Sequence, residues 1–299
     1  MYPGLTLPWH ELTLELPADQ VDKFEQAMFD SGALSVTLRD AGDQPLFEPA
    51  PDDTPLWDGV RLTGMFAVDQ DMGNIIHMVC DQLHLDHPPP FQLEVLADRE
   101  WSRVWMENFR PMLFGKHLWI CPSGYDHPDD HNAIVIDLDP GLAFGTGSHP
   151  TTALCLQWLD ANPPQERVVV DYGCGSGILA IAAAKLGAQR VIAIDNDPQA
   201  LDATWANAER NGVTEKLEIY LSGNEPEFKT DVLMANILLE PLLSLTTHFE
   251  RLLDAGGLLV LSGILEEQAQ VLRDAYNTSF RFMTCEQGKE WVRLDAVRL

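Results

Sequence analysis

Between Trp9 and Leu16 the chain alternates, with Trp9, Glu11, Thr13 and Glu15 on one side and His10, Leu12, Leu14 and Leu16 on the other. A period of two predicts a half-buried strand, and Pro17, which has no N–H to give a ladder, ends it. Val21, Phe24, Ala27 and Met28 then recur at helical spacing, predicting a helix opened by Asp19 and stopped at Gly32. The same reading predicts strands over 33–38, 60–68 and 91–96 and a helix over 72–83. The order βαββαβ is that of a small ferredoxin-like α+β domain, expected to span 1–96, with a proline-rich loop over 41–59. Trp101, Val104, Trp105 and Phe109 stand at helical spacing and predict a linker helix, 99–110, within a linker region 97–116. An aromatic stripe of that size is costly to leave wet, so a packed one is expected.

From 117 to 299 the pattern changes to apolar strands separated by helical segments. Strands are predicted over 118–121, 133–138, 168–170, 190–194, 217–221, 231–235 and 257–263. Helices are predicted from Pro150, over 178–186, 197–210, 241–254 and 266–276. A hairpin around Gly288, pairing 281–286 with 291–298, closes the chain. Repeated βα units require a parallel sheet with helices on both faces, and the hairpin adds an antiparallel edge. The expectation is a seven-stranded Rossmann-like sheet.

Chemistry enters at the first of those strands. Val168, Val169 and Val170 run into Asp171, and Gly173, Gly175 and Gly177 follow before an alanine-rich helix. Glycine permits a backbone to approach a ligand where a Cβ would collide, so a ligand is expected at this strand end. A phosphate-binding Walker loop would need Gly-Lys-Ser/Thr, and no lysine lies between Gly173 and Lys185. The dinucleotide spacing G-x-G-x-x-A fits from Gly175 to Ala180, which keeps a nicotinamide enzyme open. Asp195 closes the next strand, where a carboxylate can accept from two neighbouring ribose hydroxyls. A second stretch, Asp139 to Thr152, reads Asp-Pro-Gly-Leu-Ala-Phe-Gly-Thr-Gly-Ser-His-Pro-Thr-Thr. Loops that close over ligands have this composition, although a helix start with hydroxyl caps would account for part of it. Asn236 ends the fourth strand beside the glycine loop, where its amide can accept from a substrate N–H and orient the nitrogen lone pair.

The glycine loop with its two acidic strand ends resembles the S-adenosylmethionine loop of the seven-stranded methyltransferases. Joined to the 139–152 stretch, to Ala235-Asn-Ile-Leu and to the small first domain, it is similar over the whole length to the PrmA family of bacterial ribosomal-protein methyltransferases. The resemblance implies S-adenosyl-L-methionine as cofactor, bound by Thr151, Thr152, Gly173, Gly175, Gly177, Asp195 and Asn236, with Asn236 also catalytic. It implies methylation of lysine side chains and the N-terminal amine of large-subunit ribosomal protein eleven. Relatives with Asn/Asp-Pro-Pro-aromatic at the fourth strand act on planar nitrogens. Asn236-Ile-Leu-Leu keeps only the first of those residues, which favours an aliphatic amine. Ser222 stands where many relatives have an acidic residue for adenine. A sensor that binds the cofactor without transferring its methyl is the alternative from another class.

Charge narrows the partners. The chain of 299 residues carries 46 acidic and 19 basic side chains, a net of −27. Such a field repels nucleic acid and attracts a basic protein. Residues 1–96 alone hold 17 acidic and 3 basic residues, a net of −14, and no catalytic motif, so they are expected to recognise the substrate. The five cysteines have no C-x-x-C pair and read as reduced thiols, and Cys174 as packing. His127 and His131, with Pro128 between them, make a poor metal pair, and no metal is expected. No apolar run reaches the roughly 20 residues of a membrane span and no basic-apolar leader opens the chain. A cytoplasmic monomer is the resulting expectation.

Overall fold

The alternation at the start of the chain becomes β1 (Trp9–Pro17), the centre of a four-stranded sheet in the order β2-β3-β1-β4. It pairs antiparallel with β3 (Gly59–Ala67) and β4 (Phe91–Leu96), and β2 (Ser35–Asp40) pairs antiparallel with β3. Leu12, Leu14 and Leu16 of β1 and Val60, Leu62 and Phe66 of β3 point to one face. There they meet Phe24, Ala27 and Met28 of α1 (Val21–Asp30) and Ile75 and Val79 of α2 (Met72–Gln82). This is the ferredoxin-like arrangement that the βαββαβ order predicts. The Asp71 carboxylate caps α2 by accepting from the Gly73 and Asn74 amides. A short 3-10 turn, Ala18–Gln20, precedes α1, which therefore starts after Asp19 rather than on it.

A computed structural model describes residues 9–42, 44, 55–96, 110–139 and 147–299. The expected linker helix and the 140–146 part of the glycine-threonine stretch lie outside the described residues, as do Pro45, Pro49 and Pro51 of the proline-rich loop. The chain divides into two compact units, Met1–Trp101 and Ser102–Leu299.

The second unit opens with a small sheet, β5 (Met112–Phe114), β6 (Leu118–Cys121) and β7 (Ile134–Asp137). Strand β5 falls within the stretch assigned above to the linker region. Three residues are too few for a period to show, so only the pairing with β6 reveals it. The turn between β5 and β6 is tied to α3 (Pro150–Ala161), whose buried Asp160 accepts from the Lys116 and His117 amides at 2.6 and 3.1 Å.

The large sheet has seven strands in the order β10-β9-β8-β11-β12-β14-β13. They are β8 (Val168–Tyr172), β9 (Arg190–Asp195), β10 (Leu217–Leu221), β11 (Thr230–Asn236), β12 (Leu253–Leu265), β13 (Phe280–Gly288) and β14 (Trp291–Arg298). Strands β8 to β12 run parallel, and the β13–β14 hairpin supplies the antiparallel edge. On one face the sheet packs against α3, the alanine-rich α4 (Ile178–Lys185) and α5 (Pro198–Arg210). On the other it packs against three shorter helices. The single helix expected over 241–254 is in fact two, α6 (Leu239–Ser244) and α7 (Thr246–Leu252), with α8 (Ala269–Tyr276) beyond β12. At the break Leu245 flattens to φ −90° and ψ 0°. The Ser244 and Thr246 hydroxyls donate to the Pro241 and Leu243 carbonyls there, competing with the backbone ladder.

One buried charge pair anchors the hairpin. The Arg293 guanidinium donates twice to Asp295, at 2.8 and 3.1 Å, and once to the Leu154 carbonyl in α3 at 2.8 Å. The Thr284 hydroxyl completes the Asp295 shell. Arg293→Met strands a buried carboxylate and is expected to destabilise the second unit by about 3–5 kcal/mol in urea denaturation. Adding Asp295→Leu should restore most of that loss, because the uncompensated charge is then gone.

Candidate functional site

Five parallel strands end side by side, and their carboxyl ends form the floor of a cavity of about 620 Å³. Each contributes lining groups: Ser222 follows β10, Asp195 ends β9, Tyr172 and Gly173 follow from β8, Asn236 ends β11, and Gly263 lies near the end of β12. The chain runs from β8 outward to β10 and then back to β11 on the other side of β8. That reversal is the switch point at which open α/β sheets hold their ligands.

The glycine loop takes this shape because three residues adopt left-handed angles, φ +79° at Gly173, +54° at Gly175 and +77° at Gly177. A Cβ at Gly173 would overlap Ile237, and one at Gly177 would overlap Thr204. The loop is also pinned from below: the Gly173 and Cys174 amides donate to the Ile194 carbonyl at 2.7 and 3.0 Å. From α5, Thr204 and Asn207 donate to the Gly175 and Ser176 carbonyls at 3.0 and 2.9 Å. Asp195 accepts from the Gly175 amide at 2.8 Å through one oxygen and from the Asp197 amide at 3.0 Å through the other. Each oxygen keeps a second lone pair for a ligand hydroxyl.

Asn236 carries the feature of most chemical consequence. Its Nδ2 donates to the hydroxyl of the fully buried Thr152 at 3.2 Å, which fixes the amide plane. Its Oδ1 is buried and has no partner among the described residues. An unmet acceptor on a cavity wall costs free energy unless a ligand supplies the donor. Thr151, next along α3, lines the cavity, and its hydroxyl lies 2.7 Å from His149 Nδ1. The His149 ring itself caps α3, accepting from the Thr151 amide at 3.4 Å, where the alternative reading of this stretch had a hydroxyl cap. The Trp291 ring stands edge-on to His149, with centroids 4.9 Å apart.

Of the seven residues singled out from the sequence, Thr151, Gly173, Gly175, Asp195 and Asn236 line one cavity. Thr152 sits behind Asn236 and Gly177 against Thr204, each one layer back. Among the lining residues that were not singled out are His149, Tyr172, Asn196, Gly263 and Trp291. Tyr172, inside the glycine motif, and Asn196, after Asp195, were legible by adjacency. Trp291 had no such signal, because it reaches the cavity from the hairpin at the far end of the chain. It supplies an aromatic wall that the Asn236-Ile-Leu-Leu turn lacks. Among the described residues there is no group of His, Cys, Asp and Glu able to hold a metal ion. Cys155 and Cys174 are buried, with burial pushing the Cys155 thiol up to about 12. His127 instead meets Asp137 at 2.8 Å.

The family model described as "Ribosomal protein L11 methyltransferase (PrmA)" matches residues 8–298. The chain belongs to the PrmA family. A relative from Tolumonas auensis, named ribosomal protein L11 methyltransferase, is 47% identical over 293 residues, covering 98% of this chain and 99% of its own. One of the same name from Escherichia coli O8 is 47% identical over 289 residues, covering 96% and 98%. Among solved structures, a ribosomal protein L11 methylase from Lactobacillus delbrueckii subsp. bulgaricus is 34% identical with a TM-score of 0.58. It covers 64% of this chain and 99% of its own.

Membership in the PrmA family makes S-adenosylmethionine the methyl donor, and the cavity fits it. Its volume lies within the range of small-molecule sites. Gly173 and Gly175 bring the loop after β8 to the cavity wall, Asp195 holds lone pairs for a diol, and Asn236 holds an unmet acceptor.

Below the loop, the carboxyl of Asp171 is fully buried, accepting from the Ala180 amide at 2.9 Å through Oδ2, while Oδ1 has no partner among the described residues. Burial, against which the Ala180 N–H works, and then the charge of Asp195 push this carboxyl up to about 7. In the unfolded chain it titrates near 4, so between about pH 4 and pH 7 the folded state holds the extra proton. Asp171 therefore contributes stability that is full below about pH 4 and lost as pH rises towards 7. Asp171→Asn should remove this slope and gain on the native chain as pH rises. Urea midpoints measured from pH 4 to pH 8 check both the sign and the window.

Proposed function

We propose that the chain is an S-adenosylmethionine-dependent protein N-methyltransferase. Its substrate is large-subunit ribosomal protein eleven, methylated on lysine side chains and the N-terminal amine. The observation that carries this reading is the unmet Asn236 Oδ1 on the wall of a cavity that also holds the glycine loop and Asp195. A sensor needs the latter two only. An amine substrate requires an acceptor beside the reacting methyl group, and the Asn236 amide can supply one.

Bound S-adenosylmethionine supplies an electrophilic methyl group on a sulfonium. The Asp195 oxygens would take the ribose hydroxyls with their remaining lone pairs, and the Gly173–Gly175 turn would hold the amino-acid portion. Asn236 Oδ1 accepts one N–H of the incoming amine and turns the nitrogen lone pair towards the methyl group, while Thr152 keeps the amide from rotating. A lysine is mostly charged at neutral pH and must lose a proton before it can attack. The apolar wall of Ile237, Leu238, Leu245 and Trp291 disfavours the ammonium form and excludes water.

The division of labour follows the chemistry. Residues 1–96, with no catalytic constellation and a net charge of −14, dock the basic ribosomal protein, and the unit that opens with β5 binds the cofactor and transfers the methyl group. The enzyme acts as a monomer in the cytoplasm and makes no direct contact with nucleic acid. No helix among the described residues is long and apolar enough to cross a membrane.

Incubation with labelled S-adenosylmethionine and a cell extract tests the activity: label should enter one small basic ribosomal protein. Binding without transfer would leave a sensor, and no binding would return the question to a dinucleotide. Asp195→Ala should weaken cofactor binding by about 1.5–3 kcal/mol in calorimetry, since two ribose hydroxyls lose a charged acceptor. Asn236→Ala should lower kcat on the order of a hundredfold, well beyond its effect on cofactor affinity, because the nucleophile loses its alignment. Rising salt should slow transfer to the intact ribosomal protein but not to a short lysine peptide, as screening beyond about 8 Å removes the steering field.

A further inference from the structure

Beyond Asp195 the cavity floor continues to Ser222, one strand further from the reacting end. With the ribose at Asp195, as proposed above, the nucleobase lies over Ser222, Tyr172 and Asn196, all of which line the cavity. The backbone from 222 to 224 has no N–H left to read it. The Ser222 amide donates to the Asp195 carbonyl at 2.8 Å, Gly223 to the Glu225 carboxylate at 2.7 Å, and Asn224 to the Leu221 carbonyl at 2.9 Å. What the wall presents instead is a pair of hydroxyls, Tyr172 Oη and Ser222 Oγ, 3.0 Å apart, in which either oxygen can be the donor.

We propose that the Tyr172–Ser222 hydroxyl pair reads the polar edge of the nucleobase, and that it accepts a 6-oxopurine nucleoside cofactor as well as a 6-aminopurine one. The inference rests on the S-adenosylmethionine reading of this cavity. Adenine presents a donor at its 6-amino group and an acceptor at N1. Hypoxanthine presents the reverse, an acceptor at O6 and a donor at N1. A carboxylate at position 222 could only accept, so the 6-oxo group would face it unpaired. A hydroxyl pair has no such polarity: reversing the direction of the O–H···O bond exchanges the outward donor for an outward acceptor. The oxygen of Tyr172 stays in place while its hydrogen turns, because the ring packs edge-on to Phe249 and His248 at 5.1 and 5.6 Å between centroids. Burial pushes the phenol pKa up, so the hydroxyl keeps its proton at neutral pH. Asn196, the other polar side chain at this end, carries both a donor and an acceptor and can turn over in the same way.

Calorimetry on the full chain with S-adenosyl-L-homocysteine and S-inosyl-L-homocysteine tests the proposal. The two should bind within about tenfold of each other, far from the 10⁴-fold or greater rejection shown by sites that hold a fixed hydrogen-bond pattern. Ser222→Asp should widen the preference for the adenosyl form beyond about tenfold, and Ser222→Ala should weaken both ligands alike. The adenosyl ligand reports in each variant whether the site is folded. A native preference above tenfold, an unwidened preference in Ser222→Asp, or unchanged affinities in Ser222→Ala would each overturn the hydroxyl reading while leaving the methyltransferase standing. Failure of the native chain to bind either ligand would overturn both.

Discussion

Ile237 is clasped between two glycines, and the geometry of the cavity depends on that clasp. Its side chain occupies the space where Gly173 would carry a Cβ, and its backbone occupies the space where Gly263 would carry one. Three strand ends, β8, β11 and β12, thereby approach more closely than ordinary residues allow. Both glycines have positive φ, +79° and +88°, so a larger residue would be strained as well as crowded. Asn236 immediately precedes Ile237, so the clasp sets the direction in which its amide leaves β11. Thr152 then fixes the rotation of that amide from behind. Neither contact would suffice alone, because a side chain needs both its Cα position and its torsion determined to hold an acceptor in line with a reaction.

The sequence made the outline legible where a period or a glycine cluster carried the information. Both sheets follow from alternating and β-branched runs, and the position of the cavity follows from three glycines between two acidic strand ends. Gly263 escaped because its neighbour, Ile237, is distant in sequence: the need for a missing Cβ exists only after β11 and β12 pair. Trp291 escaped for the same reason, reaching the cavity through a hairpin whose register is set by β12. The break between α6 and α7 escaped because Ser244 and Thr246 are compatible with a helix by propensity. Their hydroxyl bonds to preceding carbonyls exist only once the turn has formed.

Two buried polar systems in the second unit contrast in how they are resolved. Arg293 and Asp295 satisfy one another and the Leu154 carbonyl, so their desolvation is offset by fixing α3 against the hairpin. Asp171 and Asn236 each keep an oxygen without a partner among the described residues. A fold of this size can carry a cost of a few kcal/mol at a site, provided the surrounding core supplies it. Here that core is dense: Val169, Val170, Val232, Leu233 and Met234 on the flanking strands are all but inaccessible to solvent.

The two ends of the cavity use opposite means, and the difference follows from what each end has to do. At Asn236 a contact with a buried hydroxyl holds the amide in place, because attack on a methyl group demands one direction of one lone pair. At Ser222 the backbone amides are already engaged and the side chains are hydroxyls that can turn, which suits a group that has only to be held. Binding energy collected at the compliant end positions the reactive atom at the rigid end without dictating its orientation. Asp195 lies between them, and its carboxylate joins the two through the Gly175 and Asp197 amides. The loop that contacts the ligand is thus braced by the same residue that contacts the ligand. A change in that carboxylate reaches the glycine turn as well as the ribose.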